Sequence, residues 1–359
     1  ATLSDLEGLL LHLKGIGFSD LVLTSGSCAS ARVDGVWRRC SGRALHTAEL
    51  ASLLDSASGN AAASSIVLGG SDLDFGFEVP ESRLSRIRFR ANAAGVAAGW
   101  GTGLALTFRL IPGAPPTLAE LGCEPELASA LFPENGLVLA TGAMGSGKTT
   151  FLAAVMRGIV ERGGRHVCTY ESPVEFDLTP ADSGHTPVEQ SEIPRHLPDF
   201  LTAVRNLTRR AADAVLVGEV RDPETIRGVL EAAELGVACY ATAHTRSVSA
   251  APVRILNPFP PAEARGLAAS LFSGLRCCVH QRLFPCPGGG RHAVREYLAL
   301  DQPMRDELQR AGIGRSAALM EEMLEARGMP LERAVERDLA EGLVWPSALA
   351  AVRAERGRA

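Results

Sequence analysis

The sequence predicts an α/β protein in which a parallel sheet is wrapped by helices and preceded by a smaller α+β domain. Three observations predict it. Strand-length apolar runs alternate with amphipathic helical stretches from Leu137 onwards, the rhythm of a parallel sheet covered on both faces. Between the first such strand and helix lies Gly142-Ala143-Met144-Gly145-Ser146-Gly147-Lys148-Thr149, which fits the phosphate-loop pattern G-x-x-x-x-G-K-[ST]. Upstream, Pro112-Gly113-Ala114-Pro115-Pro116-Thr117 can continue neither a helix nor a central strand, so it reads as a linker. The expected division is a domain at 1–111, a linker at 112–117, a second domain at 118–300 and a helical segment at 301–359.

In chain order, Leu3, Leu6, Leu10 and Leu13 recur at helical spacing. Leu21-Val22-Leu23 reads as a strand, and Arg32 to Trp37 as a hairpin about Asp34-Gly35. A helix is expected from Thr47, with Leu50, Leu53 and Leu54 on one face. Period-two runs over Asp72–Val79, Arg86–Ala91 and Leu104–Leu110 predict three strands. In the second of these, Arg86, Arg88 and Arg90 alternate with Ile87 and Phe89, so three guanidinium groups share one face.

Beyond the linker the expected order is a strand at Leu137–Thr141, a helix from Lys148 to about Arg162, and a strand at Val167–Glu171. A helix near Pro198–Arg210, a strand at Ala214–Glu219, a helix at Pro223–Leu235 and a strand at Val237–Thr242 follow. Phe151, Leu152, Val155, Met156, Ile159 and Val160 give the first of these helices a stripe wide enough to lie on a sheet. The chain turns charged and helical beyond Asp301, with Ala317–Arg327 and Leu331–Leu343 the clearest helices.

Bulk properties narrow the function. A chain of 359 residues, 46% of them hydrophobic, buries a large core. A net charge of -5 argues against a protein whose main partner is a nucleic-acid backbone. No stretch is long and apolar enough to span a bilayer, and Ala1–Lys14 reads as an acidic amphipathic helix rather than a signal, so a cytoplasmic protein is expected. The eight cysteines form no C-x-x-C pair, and the spacing of Cys278, His280 and Cys286 matches no standard metal site.

The phosphate loop implies a bound nucleoside triphosphate. Its glycines let backbone N–H groups fold around phosphates, and the helix that follows adds the positive end of its dipole. The candidate nucleotide contacts are Gly142, Gly145, Ser146, Gly147, Lys148, Thr149 and Thr150, with Thr149 also positioned for Mg2+. Of the 36 cationic Lys and Arg residues only Lys14 and Lys148 are lysines, and one of the two falls at the phosphate site. Hydrolysis of ATP further needs a carboxylate near magnesium, a base for water, a sensor and cations. Glu219 ends a strand where such a carboxylate belongs, Glu171 and Glu175 flank Ser172-Pro173 as candidate bases, and His244 ends a later strand.

The phosphate loop, Thr169-Tyr170-Glu171-Ser172-Pro173-Val174-Glu175, Gly218-Glu219-Val220-Arg221-Asp222 and Thr242-Ala243-His244-Thr245 together resemble the secretion ATPases of the PilT and GspE type. In that family they are the Walker A, Asp, Walker B and His boxes. Arg88-Phe89-Arg90-Ala91-Asn92 and Phe108-Arg109-Leu110-Ile111-Pro112 resemble the end of its PAS-like N-terminal domain. The resemblance implies a RecA-like ATPase domain, Glu175 as catalytic glutamate, Glu219 as a magnesium-side acid acting through water, and His244 as the His-box residue. It also implies that Arg88, Arg90 and Arg109 serve the nucleotide, and that the chain forms a homo-hexamer. Tyr170-Glu171-Ser172-Pro173, the stretch Ser191–Leu197 and Arg295-Glu296-Tyr297-Leu298 look most like the DotB and TraJ branch. That branch implies type IVB secretion or conjugation at the inner membrane, with a peripheral attachment to membrane proteins. The acidic net charge and the absence of aromatic stacking residues on the face that Arg86, Arg88 and Arg90 share argue against direct nucleic-acid binding by a RecA-like DNA translocase. Two departures stand out, Ser172 where most members carry aspartate and Ala243 before the histidine.

Overall fold

The structure, a computed structural model, describes residues 2–33, 36–82, 86–99, 101–111, 113–181, 184–220 and 222–355. They form two compact units, Ala1–Gly113 and Ala114–Ala359.

The first unit contains α1 (Leu3–Gly15), β1 (Phe18–Thr24), β2 (Cys28–Val33), β3 (Val36–Ala44), α2 (Thr47–Ser58), α3 (Ala63–Leu68), β4 (Leu73–Pro80), β5 (Arg86–Ala98) and β6 (Gly101–Ile111). Its strands make one antiparallel sheet in the order β3-β2-β1-β6-β5-β4. Helix α1 begins with a capping box between Thr2 and Asp5, which satisfies backbone donors at its first turn. Its Leu6, Leu10 and Leu13 join Leu50 and Leu54 of α2 and Ile87, Phe89 and Phe108 of the sheet in one core. Period two on β5 therefore sends Ile87 and Phe89 inward and leaves Arg86, Arg88 and Arg90 on the opposite face. The tip of the β2–β3 hairpin, Asp34-Gly35, lies outside the described residues, while Val33 pairs with Val36 on either side of it.

Strand β5 continues to Ala98, past its expected end at Ala91. The added stretch is rich in alanine and glycine, weak strand formers, and its pairing with β6 carries it on to the Ala98–Gly101 pair.

The second unit contains α4 (Pro125–Ala130), β7 (Gly136–Thr141), α5 (Lys148–Arg162), β8 (Val167–Glu171), β9 (Val188–Glu192), α6 (Phe200–Arg205), α7 (Leu207–Arg210), β10 (Ala214–Val217), α8 (Pro223–Glu234) and β11 (Ala238–Ala243). It continues with α9 (Ala251–Leu256), α10 (Pro261–Gly274), β12 (Leu275–Pro285), β13 (Arg291–Ala299), α11 (Gln302–Ala311), α12 (Ile313–Arg327), α13 (Leu331–Ala340) and α14 (Pro346–Glu355). The sheet order is β13-β12-β7-β11-β10-β8-β9. Strands β12 through β9 run parallel, and β13 returns antiparallel to β12, so the sheet expected to be parallel is a mixed one.

Every residue of β7, β8, β10 and β11 is buried, as strands covered on both faces must be. On one side of the sheet α5 lays Phe151, Leu152, Val155, Met156 and Ile159 against Val138, Leu216 and Tyr240. Each such side chain contributes about 1.5–3 kcal/mol by leaving water, which fixes the helix behind the phosphate loop. On the other side, α8 and α10 share a core with Met304, Leu308, Met320 and Leu324 of α11 and α12. The single helix expected near Pro198–Arg210 is two short helices, because the chain breaks at Asn206, a poor helix former. No helix among the described residues is long and apolar enough to cross a membrane.

Candidate nucleotide-binding site

The phosphate loop leaves β7 at Thr141 and enters α5 at Lys148. Gly142, Gly145 and Gly147 hold φ of +143°, +73° and +83°, a region that side chains disfavour. A Cβ on Gly142 would lie 2.5 Å from the Gln281 carbonyl oxygen and 2.6 Å from Ser146 Oγ, so glycine is needed there for space as well as for torsion. Gly147 caps α5 without a side-chain hydrogen bond, which leaves the first-turn N–H groups without a side-chain acceptor from the cap. Lys148 is buried, and its Nζ donates to the carbonyls of Gly142 at 2.9 Å and Ala143 at 2.8 Å. Burial lowers its pKa, opposed by the negative charge of Glu219. Thr149 and Thr150 follow on the first turn, both half-buried.

Glu219 lies just beyond β10, which ends at Val217 rather than at Glu219. Its Oε1 is 3.2 Å from His244 Nε2, while His244 Nδ1 is 3.1 Å from the Gly142 carbonyl. Lys148 at the start of α5 and His244 after β11 thus meet at the Gly142 carbonyl, and Glu219 after β10 stands beside His244. Gly218 stands where an ordinary phosphate-loop enzyme carries aspartate. A Cβ there would meet the Tyr170 carbonyl at 3.3 Å, a tight approach that favours glycine.

The two candidate bases differ in setting. Glu171 ends β8 and is buried, and that burial pushes its carboxyl up to about 7. Glu175 is half-buried after the Ser172–Pro173 bond, which is cis. Arg221 of the second acidic box lies outside the described residues.

The remaining predicted residues belong to the first unit. Arg90 pairs with Arg109 across β5 and β6, and Arg88 pairs with Glu78 of β4. Carboxylates accompany each of them: Asp20 at 2.8 Å from Arg109, Glu78 at 3.7 Å from Arg88 and Asp74 at 4.0 Å from Arg90. The structure brings these arginines together on one sheet face of the first unit.

The loop fits a triphosphate. The buried Ser146 Oγ has no hydrogen-bond partner, the glycines form a cradle that a Cβ would fill, and two carbonyls stand in for phosphate oxygens at Lys148. An adjoining cleft of about 860 Å³ is lined in part by Gly142, Ala143, His244 and Thr245. The donors offered for a metal, Thr149 and Glu219, are oxygens, as magnesium requires. Among the described residues the one His/Cys/Asp/Glu group with metal-ligand spacing is His166, Cys168 and Glu189. Arg210 Nη1 is 3.1 Å from Glu189, which sets a fixed cation beside that cluster.

Gln281 escaped the sequence reading, although it touches the loop directly through a 2.7 Å hydrogen bond to the Ser146 carbonyl. The signal available was the polar trio His280, Gln281 and Arg282 between the apolar stretches Cys277–Val279 and Leu283–Phe284 of β12.

Comparison with known proteins places the chain in a family and supports its fold. The family model of the type II/IV secretion system protein matches residues 80–326. The chain is 34% identical over 294 residues to the type IV pilus retraction ATPase PilT of Pseudomonas aeruginosa, covering 82% of each chain. The crystal structure of the Legionella pneumophila ATPase DotB superposes with a TM-score of 0.92 at 32% identity, covering 99% of this chain and 96% of that one. The pilus retraction motor PilT with bound ADP gives 0.81 at 26% identity over 96% and 95%.

Proposed function

Because the chain belongs to the type II/IV secretion system protein family, we propose that it is a hexameric ATPase motor that powers a type IVB secretion or conjugative transfer machine at the inner membrane. The observation that carries this reading is that Lys148 and His244 both bond the Gly142 carbonyl of the phosphate loop, with Glu219 paired to His244. The resemblance over nearly the full length to an ATPase, DotB, supports the machine.

In this reading Lys148 exchanges its two loop carbonyls for phosphate oxygens, and the N–H groups at the start of α5 take the rest of the charge. Bound Mg2+ neutralises phosphate charge, and Thr149 and Glu219 would hold it, Glu219 through water. Glu175 accepts a proton from water as its oxygen bonds to the γ-phosphorus and the bond to the β-phosphate oxygen breaks, giving ADP and phosphate. His244, already bonded to the loop, senses the change at that phosphate. Arg88, Arg90 and Arg109 stabilise phosphate charge in the assembled ring. The protein acts in the cytoplasm, peripheral to the membrane and attached through the machine's inner-membrane proteins.

Two substitutions test the chemistry. Lys148→Ala should abolish ATP binding, whereas Glu175→Gln should bind ATP and lose turnover by about 10²-fold or more. Normal phosphate release from the Glu175→Gln chain would refute the assignment. A pilus-retraction motor is the second reading, favoured by the 34% identity to PilT. Capture of the purified chain by one machine's inner-membrane platform and not the other's separates the two.

A further inference from the structure

The phosphate loop rests on an amide whose orientation is fixed by a fully buried guanidinium. Gln281 and Arg295 face each other across β12 and β13. Arg295 Nε donates to Gln281 Oε1 at 2.9 Å, and Gln281 Nε2 donates to the Ser146 carbonyl at 2.7 Å. Arginine has only donors and a carbonyl only accepts, so both ends of the amide are determined by their partners. The fit against the loop is close: a Cβ on Gly147 would lie 2.8 Å from Gln281 Nε2.

Arg295 is 0% exposed, and such a charge is costly unless it is compensated on every side. Its Nη groups donate to the carbonyls of Leu121 at 3.0 Å and Gly122 at 3.3 Å, and its guanidinium lies 5.1 Å from the Phe151 ring of α5. Glu124 Oε2 is 3.7 Å from Arg295 Nη1, and Glu124 Oε1 accepts from Arg337 Nη2 of α13 at 2.8 Å. A polar chain therefore runs from the loop carbonyl of Ser146 through Gln281, Arg295 and Glu124 to α13. Apolar side chains would fill β12 and β13 at lower desolvation cost, but none would hold that carbonyl.

We propose that Gln281 is a positioning residue for the phosphate loop, oriented by Arg295, and that Glu124 and Arg337 extend this brace to helix α13. By occupying the Ser146 carbonyl from behind, Gln281 keeps the peptide turned so that the loop's N–H groups face the phosphates. The proposal rests on the nucleotide-binding reading above.

The experiment measures the affinity of the full chain for a fluorescent ATP analogue with magnesium, beside nucleotide-free melting, at a temperature where each variant is folded. Gln281→Glu keeps a partner for Arg295 but turns the donor to Ser146 into an acceptor. Gln281→Met leaves both neighbours unpaired. The brace predicts at least tenfold weaker binding for Gln281→Glu, equal to or worse than Gln281→Met, although Gln281→Met melts lower. A merely structural role predicts that affinity follows melting temperature, and that order would overturn the proposal. Arg337→Gln should weaken binding about threefold, and unchanged affinity would overturn the connection to α13. Lys148→Ala is the control. Should the parent chain fail to bind, or Lys148→Ala bind equally well, the nucleotide reading fails and this proposal falls with it. If those two behave and Gln281→Glu binds like the parent, the brace alone is wrong.

Discussion

Glu171 and Glu175 flank the same cis proline, yet the fold treats them oppositely. The strand end buries Glu171 and raises its carboxyl from an ordinary 4.5 to about 7, while Glu175 stays half-buried in the loop. A general base must reach solvent water, which supports Glu175 in that role. Glu171 has a separate consequence for stability. Its folded pKa lies above its unfolded one, so the folded state binds the proton more tightly. That stabilisation is complete below about pH 4.5 and is lost as pH rises through about 7. Replacing Glu171 with Gln, a neutral isostere, should remove this loss. Urea unfolding of the two chains should diverge by about 1.4 kcal/mol per pH unit across that window. Parallel curves would contradict the burial argument. At this scale the sequence named Lys148, Glu219 and His244, because motif spacing and strand ends carry that information. It missed Gln281, because a glutamine in a buried strand reveals its partners only through the β12–β13 register.

Among the elements, helix α8 presents its own test. Asp222 caps it, accepting from the Thr225 N–H at 2.8 Å and from its hydroxyl at 2.7 Å. Asp222→Ala should cost about 1 kcal/mol in denaturant unfolding, with Asp222→Asn recovering most of it. The arginine face of β5 and β6 is also judged at this level. Asp20, Glu78 and Asp74 interleave with Arg109, Arg88 and Arg90, so the face lacks the unbroken positive charge that a nucleic-acid backbone needs. Single-stranded DNA is therefore expected to leave ATP turnover unchanged, and stimulation would favour a translocase. Strongly periodic elements were legible: α2 and α5 start at Thr47 and Lys148, as their patterns predict. Elements held by their neighbours were not. The polar edge strand β9 and the hairpin β12–β13 exist through pairing with β8 and β7, and no local pattern announces them.

For the whole molecule, the α/β class and the RecA-like sheet follow from the alternation of strands and helices and the phosphate loop. What the sequence hid was the mixed edge of the sheet and the way α11 and α12 share a core with α8 and α10. The site around Lys148 lies in the second unit and the arginine face in the first, so the proposed motor draws on both. The central claim is an ATPase whose activity belongs to a ring. Its most direct test is phosphate release from Mg-ATP per protomer across a protein dilution series, with the Glu175→Gln chain alongside. The account predicts a specific activity that rises with concentration to a plateau and is absent in the Glu175→Gln chain. A specific activity independent of concentration, or equal in the two chains, would contradict it.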